Sequence, residues 1–281
     1  MPLLSCNNLS WSIDDKVILD NINVQVKKGQ FIGVIGPNGA GKSSLLRCLY
    51  RFIKPSKGEV TYQHHDIWQL TAKEYAQQVA VVLQHTPQQF QLSVYDVVSQ
   101  GLIPHQINFK QTFSELFAGI SHKTQQQICT ALAQVGLTHK SEMPFEQLSG
   151  GEKQRAMIAK AIVQKSEVLI MDEPTSHLDV KYQIQIMELA KSLGTTTVVS
   201  FHDLNLASAL CDEIWVLKDG KLVSSGTPDL VITEPMLSEV FDVCTHVKPH
   251  PQHQRPQVTY FYGYSSQTNI IDSEQGVSDA K

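Results

Sequence analysis

A glycine-rich segment near the N-terminus constrains the fold of this chain more than any other feature. Residues 36–43 read Gly-Pro-Asn-Gly-Ala-Gly-Lys-Ser and fit the pattern GxxxxGK[ST]. A β-rich run, Gln30–Ile35, precedes the segment, and a helical pattern from about Lys42 to Phe52 follows it. In this setting glycines let backbone N–H groups converge on phosphate oxygens, Lys42 supplies positive charge to the β- and γ-phosphates, and the Ser43 hydroxyl can bind Mg²⁺. The pattern therefore predicts a phosphate-binding loop between a strand and a helix. The residues expected to contact the nucleotide here are Gly36, Pro37, Asn38, Gly39, Ala40, Gly41, Lys42, Ser43 and Ser44.

Short apolar runs elsewhere in the chain predict a parallel α/β core around this loop. Val168–Met171 and Thr196–Phe201 are continuous apolar or β-branched runs, as in strands that are buried on both faces of a parallel sheet. A helix is predicted between them, at about Lys181–Leu193. Val79–Gln84 is a further apolar strand of the same kind.

Three further regions are expected around this core. Short β-rich runs in residues 1–35 predict an antiparallel N-terminal sheet, and the helical pattern of residues 87–160 predicts an inserted helical subdomain. Asp219-Gly220, between two β-rich runs, predicts a hairpin. Residues 245–281 are rich in Pro, Gln, Ser and His, so we expect a polar tail, either loosely ordered or a short appendage, after a domain of residues 1–244.

Composition and charge argue against several classes of protein. The 281 residues include 23 Lys+Arg and 27 Asp+Glu, a formal net charge of −4, which argues against a dedicated nucleic-acid binder. The longest apolar runs are far shorter than the roughly 18–20 residues that span a bilayer, and the N-terminus has no pattern of a signal peptide. Five widely spaced cysteines without a CxxC pair favour a reduced, cytoplasmic setting.

Two acidic residues follow the apolar run Val168–Met171. A buried parallel strand would deliver Asp172 to the edge of the sheet where the phosphate site lies, and there its carboxylate could hold the Mg²⁺ shell. Glu173 would then lie next to the γ-phosphate and could polarise an attacking water. A strand that simply leaves the core for solvent can end in the same way, so this assignment depends on the phosphate-binding loop upstream.

A second glycine-containing motif, Leu-Ser-Gly-Gly-Glu-Lys-Gln-Arg, occupies residues 148–155. Ser149 can cap the predicted helix Glu152–Val163, and Gly150 and Gly151 leave backbone N–H groups exposed at its start. This arrangement predicts a second anion-binding surface, which a single nucleotide site would not need. A capped helix after a flexible turn would give the same local pattern.

Together these motifs resemble those of ATP-binding-cassette (ABC) ATPases over about residues 3–243. Leu148–Glu152 is similar to the signature sequence of that family, and Ser176–Asp179 (SHLD) is similar to its D-loop. Gln84 stands at the Q-loop position, and His202 stands at the position of the switch histidine.

The resemblance implies a fold and a set of residue roles. The fold would be a P-loop NTPase core of the α/β class, with an N-terminal antiparallel β-subdomain and an inserted helical subdomain. Glu173 would be the general base, His202 would hold the γ-phosphate and the water, and Gln84 would sense Mg²⁺ and water. Trp11 would stack on adenine, although a tryptophan in such a sheet is commonly a core residue. The implied Mg²⁺ ligands are Ser43, Gln84 and Asp172.

In this family two cassettes pair head to tail, and each ATP lies between the phosphate-binding loop of one cassette and the signature of the other. The resemblance therefore implies a homodimer in which Ser149, Gly150 and Gly151 complete the partner's site and Asp179 contacts the opposite subunit. ATP and Mg²⁺ are the implied cofactors, ATP hydrolysis is the implied reaction, and no nucleic-acid partner is expected.

Some segments resemble one group within the family, the ATPases of importers for ferric siderophores, haem and vitamin B12 (cobalamin). These segments are Met171–Asp179, His202–Ala207 (HDLNLA), Leu92–Val98 with Pro104-His105, and Pro235–Phe241 (PMLSEVF). The resemblance to this group implies two integral-membrane permease subunits and, indirectly, a periplasmic or surface substrate-binding protein. It also implies a peripheral location on the cytoplasmic face of the inner membrane.

Two features leave alternatives open. The group usually has an arginine where this chain has Gly101–Ile103, so the partner interface here could differ in detail. The charge-poor, Gln-rich stretch 86–140 fits a docking surface for permease coupling helices and fits a solvated polar face equally well. The alternative functions are a non-transport ABC ATPase and the ATPase of a different transporter class, such as an exporter.

Overall fold

The computed structural model describes residues 1–83, 92–105, 122–176 and 178–261. Its strands, in chain order, are β1 (Pro2–Ile13), β2 (Lys16–Lys27), β3 (Phe31–Ile35), β4 (Lys57–Tyr62), β5 (His65–Asp66), β6 (Val79–Val82), β7 (Val168–Met171), β8 (Thr196–Ser200), β9 (Glu213–Lys218), β10 (Lys221–Gly226), β11 (Thr245–Pro249) and β12 (Pro256–Tyr260). Its helices are α1 (Lys42–Leu49), α2 (Ala72–Gln78), α3 (Val94–Ser99), α4 (His122–Gln134), α5 (Gly150–Gln164), α6 (Val180–Ser192), α7 (Leu204–Leu210), α8 (Pro228–Val231) and α9 (Glu234–Phe241). Short 3₁₀ helices occupy Gln100–His105, Thr138–Lys140 and Phe145–Gln147. Among these helices none is long and apolar enough to cross a membrane.

A six-stranded sheet in the order β10-β9-β3-β8-β7-β6 forms the centre of the molecule. β3 is parallel to both of its neighbours, β8 and β9, and β7 is parallel to β6 and β8. Successive side chains of β7 enter different cores: Leu169 and Met171 lie on one face, and Val168 and Ile170 lie on the other. Because both faces are covered, the strand is apolar at every position, and the sequence prediction of β7 is confirmed.

Different layers cover the two faces of this sheet. One face packs against α3, α4 and α5, with the fully buried Phe145 and Ile158 in that core. The other face packs against α1 and a four-stranded sheet in the order β2-β1-β4-β5, which contributes the fully buried Leu4 and Leu19. Neighbouring strands in this second sheet are antiparallel. The predicted α/β class with an antiparallel N-terminal sheet is therefore confirmed, whereas the domain boundaries at residues 87–160 and 244 stay predictions.

The carboxyl ends of β3, β8 and β7 meet at one edge of the central sheet, because these strands are adjacent and parallel. β3 leads into residues 36–41 and α1, β7 leads into Asp172, and β8 leads into Phe201 and His202. Open parallel sheets bind their ligands at this edge. The topology therefore brings the phosphate-binding loop, Asp172 and His202 to the same edge.

The turn of the β9–β10 hairpin braces the phosphate-binding loop. The backbone N–H of Gly220 donates to the carbonyl of Ala40 at 3.1 Å, and the carbonyl of Gly220 accepts from the N–H of Asp20 at 2.8 Å. Gly41 has a φ of +100°, and a Cβ on this residue would lie 2.9 Å from Cδ2 of Leu19. Gly41 therefore allows the N-terminal sheet to pack closely against the loop, besides giving the loop its turn.

The C-terminal segment is the short appendage, not the loosely ordered tail, over residues 245–260. There β11 and β12 form an antiparallel hairpin, and the hairpin is fixed to α7. The Asn205 amide donates to the carbonyl of Val258 at 3.1 Å and accepts from the N–H of Val258 at 2.7 Å. The hydroxyl of Ser208 donates to the carbonyl of Pro256 at 2.6 Å. Composition could not predict this arrangement, because the partners lie on a helix far upstream.

The boundaries of other elements also differ from the prediction. β1 and β2 each run for 12 residues where shorter runs were predicted. Asn8 and Asn21 adopt positive φ angles of 50° and 52° near register shifts and do not end the strands. α1 ends at Leu49 and not at Phe52, because Arg51 has a φ of 63°, which is incompatible with a continued helix.

The hairpin gives a prediction for stability. In Asn205→Ala the backbone N–H and carbonyl of Val258, a residue only 4% exposed, lose their partners. We expect the free energy of unfolding to fall by about 1–3 kcal/mol, the usual cost of unpaired buried polar groups. Urea unfolding followed by circular dichroism measures this change. Asn7→Ala, which removes only an exposed bond of 3.3 Å to Glu59, is the matched control, and equal effects of the two variants would contradict the prediction.

Candidate active site

Lys42 is buried at the first position of α1, with 5% of the residue exposed. Its ammonium group donates to the carbonyls of Gly36 at 2.8 Å and Pro37 at 3.2 Å, so the lysine closes back on its own loop. Burial lowers the pKa of Lys42 from its ordinary value, and the carboxylates of Glu173 and Asp172 oppose this shift. A positive charge is thus held in the loop, within electrostatic reach of both acids.

Ser43 and Asp172 meet directly. The Ser43 hydroxyl donates to Oδ1 of Asp172 at 2.9 Å, and Asp172 is 4% exposed. A hydroxyl and a carboxylate are hard oxygen ligands of the kind that Mg²⁺ prefers, and Mg²⁺ is usually held by one or two such groups together with substrate phosphates. Gly39 has a φ of +81° and nothing within 4 Å of a Cβ position, so the outer side of the loop is open. These residues fit Mg²⁺ and a triphosphate.

Glu173 contacts His202. Nε2 of His202 lies 2.8 Å from Oε2 of Glu173, and the Glu173 side chain is 12% exposed while that of His202 is 49% exposed. The backbone of Glu173 has a φ of 47°, in the left-handed region that non-glycine residues seldom occupy. The carboxylate is therefore largely shielded from solvent and is oriented by the imidazole, at the edge where the loop and Asp172 lie.

Ser200 belongs to this group and was missed by the sequence analysis. It is the last residue of β8 and is 1% exposed. Its hydroxyl donates to Oδ1 of Asp172 at 3.0 Å and accepts from the backbone N–H of Glu173 at 2.8 Å. The only signal in the sequence was a hydroxyl residue near the end of the run Thr196–Phe201, two positions before His202.

The signature residues form a second group. Ser149 is the N-cap residue of α5, and its backbone N–H donates to Oε2 of Glu152 at 3.0 Å. The ammonium of Lys140 lies 2.6 Å from Oε1 of Glu152. The hydrogen bonds from Lys140 and from the Ser149 backbone lower the pKa of Glu152 to about 2. The first turn of α5 is thus fixed by a carboxylate that stays ionised at neutral pH.

The D-loop packs against this second group. A Cβ on Gly150 would lie 3.2 Å from Cδ2 of Leu178, and one on Gly151 would lie 3.3 Å from Cγ of Tyr182. Asp179 is exposed and is the N-cap residue of α6.

Within the described ranges no hydrogen bond or ion pair joins Ser149, Gly150 or Gly151 to residues 36–44. One chain therefore carries two separate groups of candidate site residues.

Gln183, which the sequence analysis also missed, holds the loop between Glu173 and α6. Its side-chain amide donates to the carbonyls of Thr175 at 3.3 Å and Leu178 at 2.9 Å. No sequence signal distinguished it from the many other glutamines of the chain. His177, within the same loop, lies outside the described residues.

Among the described residues, Trp11 is a predicted site residue that belongs to neither group. Trp11 lies on β1, pairs with Leu19 of β2 and is partly buried against the core between the two sheets. Leu19 approaches Gly41, so Trp11 is one strand away from the phosphate-binding loop, and its stacking on adenine stays a prediction. Gln84 lies outside the described residues.

The chain is similar to several known proteins. The family model described as ABC transporter matches residues 19–176. Iron(3+)-hydroxamate import ATP-binding protein FhuC of Bacillus subtilis (strain 168) is 32% identical over 260 residues, which cover 91% of this chain and 94% of that protein. Hemin import ATP-binding protein HmuV of Photobacterium damselae subsp. damselae is 33% identical over 265 residues, 91% of this chain and 95% of that protein. A solved inward-facing structure, described as of a metal-chelate type ABC transporter, matches with a TM-score of 0.78 at 25% identity, covering 94% of this chain and 99% of that one.

The Lys140–Glu152 pair gives a pH-dependent prediction. Because the folded-state pKa of Glu152 is depressed to about 2, the pair stabilises the protein above the ordinary carboxyl pKa of about 4.3, and this stabilisation is lost as the pH falls from there towards 2. Lys140→Met is therefore expected to lower the thermal unfolding midpoint at pH 7, and the difference from the unsubstituted protein should shrink by pH 3. Lys221→Met, which removes an exposed partner 3.5 Å from Asp20, is the control. A difference in midpoint for Lys140→Met that does not change with pH would contradict the prediction.

Proposed function

The chain belongs to the ABC transporter family, and from this premise we propose that it is the ATP-hydrolysing subunit of an importer for metal chelates. Proteins of this kind hydrolyse ATP to drive transport and work with membrane permease components. One observation carries the proposal for the site. A chain of hydrogen bonds joins Ser43, Asp172, Ser200 and Glu173, and the carboxylate of Glu173 contacts His202.

The residues of the candidate site have separate proposed roles in the reaction ATP + H₂O → ADP + phosphate. Lys42 and the backbone N–H groups of residues 36–44 bind the phosphates. Ser43 and Asp172 would hold Mg²⁺, together with Gln84 as the resemblance implies. Bound there, the ion would supply positive charge that neutralises the phosphates.

Glu173 is the proposed general base. Its carboxylate accepts a proton from the attacking water, and its contact with Nε2 of His202, at 2.8 Å, keeps it oriented. A carboxylate that is only 12% exposed loses little of its orientation to competing solvent.

The separation of the two site groups supports a homodimer. Ser149, Gly150 and Gly151 present the start of α5, which attracts anions through its N–H groups and dipole, but within the described residues they make no hydrogen bond to the phosphate-binding loop of their own chain. We infer that they complete the ATP site of a second copy, and that the exposed Asp179 lies at the same interface. Trp11 is proposed to stack on the adenine.

The proposed partners are two integral-membrane permease subunits and, through them, a periplasmic or surface substrate-binding protein. The ATPase domain of residues 1–244 would associate peripherally with the cytoplasmic face of the inner membrane. The proposed cargo is a ferric siderophore, haem or cobalamin. FhuC and HmuV are import ATP-binding proteins for iron(3+)-hydroxamate and hemin, and their identity of 32% and 33% over almost the whole chain supports a siderophore or haem cargo.

Glu173→Gln tests the role of the base. The variant should bind ATP with unchanged affinity, because the amide keeps the size of the side chain, and its turnover should fall by about 10²- to 10⁴-fold, the usual contribution of a general base. Fluorescent-nucleotide binding and phosphate release measure the two quantities. Glu188→Gln, an exposed substitution on α6, should leave both unchanged, and normal hydrolysis by Glu173→Gln would refute the assignment.

Growth of a deletion strain tests the cargo. The strain should lose growth on ferric siderophores or haem as sole iron source, or lose uptake of cobalamin, while it keeps growth on free ferrous iron. The intact gene should restore growth and the Glu173→Gln gene should not. Wild-type growth on ferric siderophores and on haem, together with wild-type uptake of cobalamin, would contradict the proposed class of cargo.

A further inference from the structure

Ser200 is hydrogen-bonded to both acidic residues of the site, Asp172 and Glu173. It ends β8, the strand that lies between β3 and β7, so its side chain is next to the carboxyl ends of both neighbours. It is 1% exposed, and its hydroxyl makes two hydrogen bonds, one as donor and one as acceptor. The donor bond goes to Asp172 and the accepted bond comes from Glu173.

The accepted bond fixes an unusual backbone. Glu173 has a φ of 47°, which a β-carbon makes unfavourable, and such a conformation persists only where the surroundings hold it. The N–H of this peptide donates to Oγ of Ser200 at 2.8 Å. The carbonyl of Glu173 accepts from the N–H of Ser176 at 3.2 Å, which closes a turn on the other side. Loss of the serine hydroxyl would leave the Glu173 N–H without this acceptor.

The donated bond fixes the carboxylate expected to hold Mg²⁺. Oδ1 of Asp172 accepts from Ser200 at 3.0 Å and from Ser43 at 2.9 Å. When the Ser43 hydroxyl directs a lone pair towards a metal ion, the hydroxyl of Ser200, on the neighbouring strand β8, still donates to Oδ1 of Asp172. Outer partners of this kind orient metal ligands, and their loss typically costs 10- to 100-fold in metal affinity or activity.

We propose that Ser200 is a positioning residue for ATP hydrolysis, one hydroxyl that sets both the orientation of the Asp172 carboxylate and the strained peptide of Glu173. The proposal rests on the roles given above to Asp172 and Glu173. Ser200 does not touch the reacting atoms, and it couples the metal ligand to the base. A change at Ser200 therefore alters metal binding and turnover together and leaves metal-free nucleotide binding unchanged.

Three variants test this proposal in the full chain. Ser200→Ala removes the hydroxyl, Ser200→Thr keeps it, and Thr197→Val is the matched control. Thr197 is fully buried on the same strand, and its hydroxyl donates only to the carbonyl of Thr195. If Ser200→Ala does not fold, Ser200→Cys takes its place, since a thiol is a weaker donor and acceptor.

The first measurement needs neither nucleotide nor metal. Hydrogen exchange of the Glu173 amide, followed by NMR in the nucleotide-free protein, should be about tenfold faster in Ser200→Ala than in the unsubstituted protein, since one hydrogen bond is lost. Exchange in Ser200→Thr and Thr197→Val should stay unchanged. Equal protection of this amide in Ser200→Ala and Thr197→Val would overturn the proposal.

The second measurement uses Mn²⁺ as the metal probe. Electron paramagnetic resonance of Mn²⁺ with a non-hydrolysable ATP analogue should give about tenfold weaker metal binding in Ser200→Ala, and turnover with Mg²⁺ and ATP should fall by about 10- to 100-fold. Nucleotide affinity in EDTA should not change, and Ser200→Thr should restore metal binding and turnover. Unchanged Mn²⁺ affinity, or a loss of turnover equal to that of Thr197→Val, would overturn the proposal.

Normal turnover of Glu173→Gln would instead overturn the proposed role of the base, and the amide-exchange result would still decide the role of Ser200.

Discussion

A single carboxylate oxygen joins the segments on which this site depends. Oδ1 of Asp172 accepts hydrogen bonds from Ser43 at the start of α1 and from Ser200 at the end of β8. A buried carboxylate without such donors would be costly. The stability of the fold and the chemistry of the site therefore both require these two donors to reach Asp172. They reach it because β3, β8 and β7 are adjacent and parallel, with their carboxyl ends at one edge.

The parts of the structure that sequence predicted best are those buried on both sides. The limits of Val168–Met171 agree with the prediction because every position of that strand is covered. The strand lengths of the N-terminal sheet were underestimated, because β1 and β2 continue through irregular positions at Asn8 and Asn21. The local sequence pattern indicates which residues are buried, but it does not indicate where a long strand can contain an irregular position.

Within the site, sequence could predict residues whose chemistry is linked to a spacing, and it missed residues whose role comes from a neighbour in space. Lys42, Ser43 and Asp172 belong to motifs with a mechanical reason for each position. Ser200 and Gln183 acquire their roles from groups 28 and 5 to 8 residues away, across a strand pair and a loop. Sequence could not decide between a loosely ordered tail and a short appendage at residues 245–260 for the same reason, because the anchors of this hairpin are the side chains of α7.

The pairing of β3 has a consequence for the stage of synthesis at which the chain can bind nucleotide. Both neighbours of β3, at Thr196–Ser200 and Glu213–Lys218, come late in the sequence, and Gly220, which braces the loop, comes later still. Domains fold while the ribosome is still adding residues to their C-terminal side. A nascent chain that ends before Thr196 has the whole GxxxxGK[ST] segment but neither strand beside which it folds. Nucleotide binding therefore requires the chain as far as Gly220, and a message truncated before that point encodes the motif without the site.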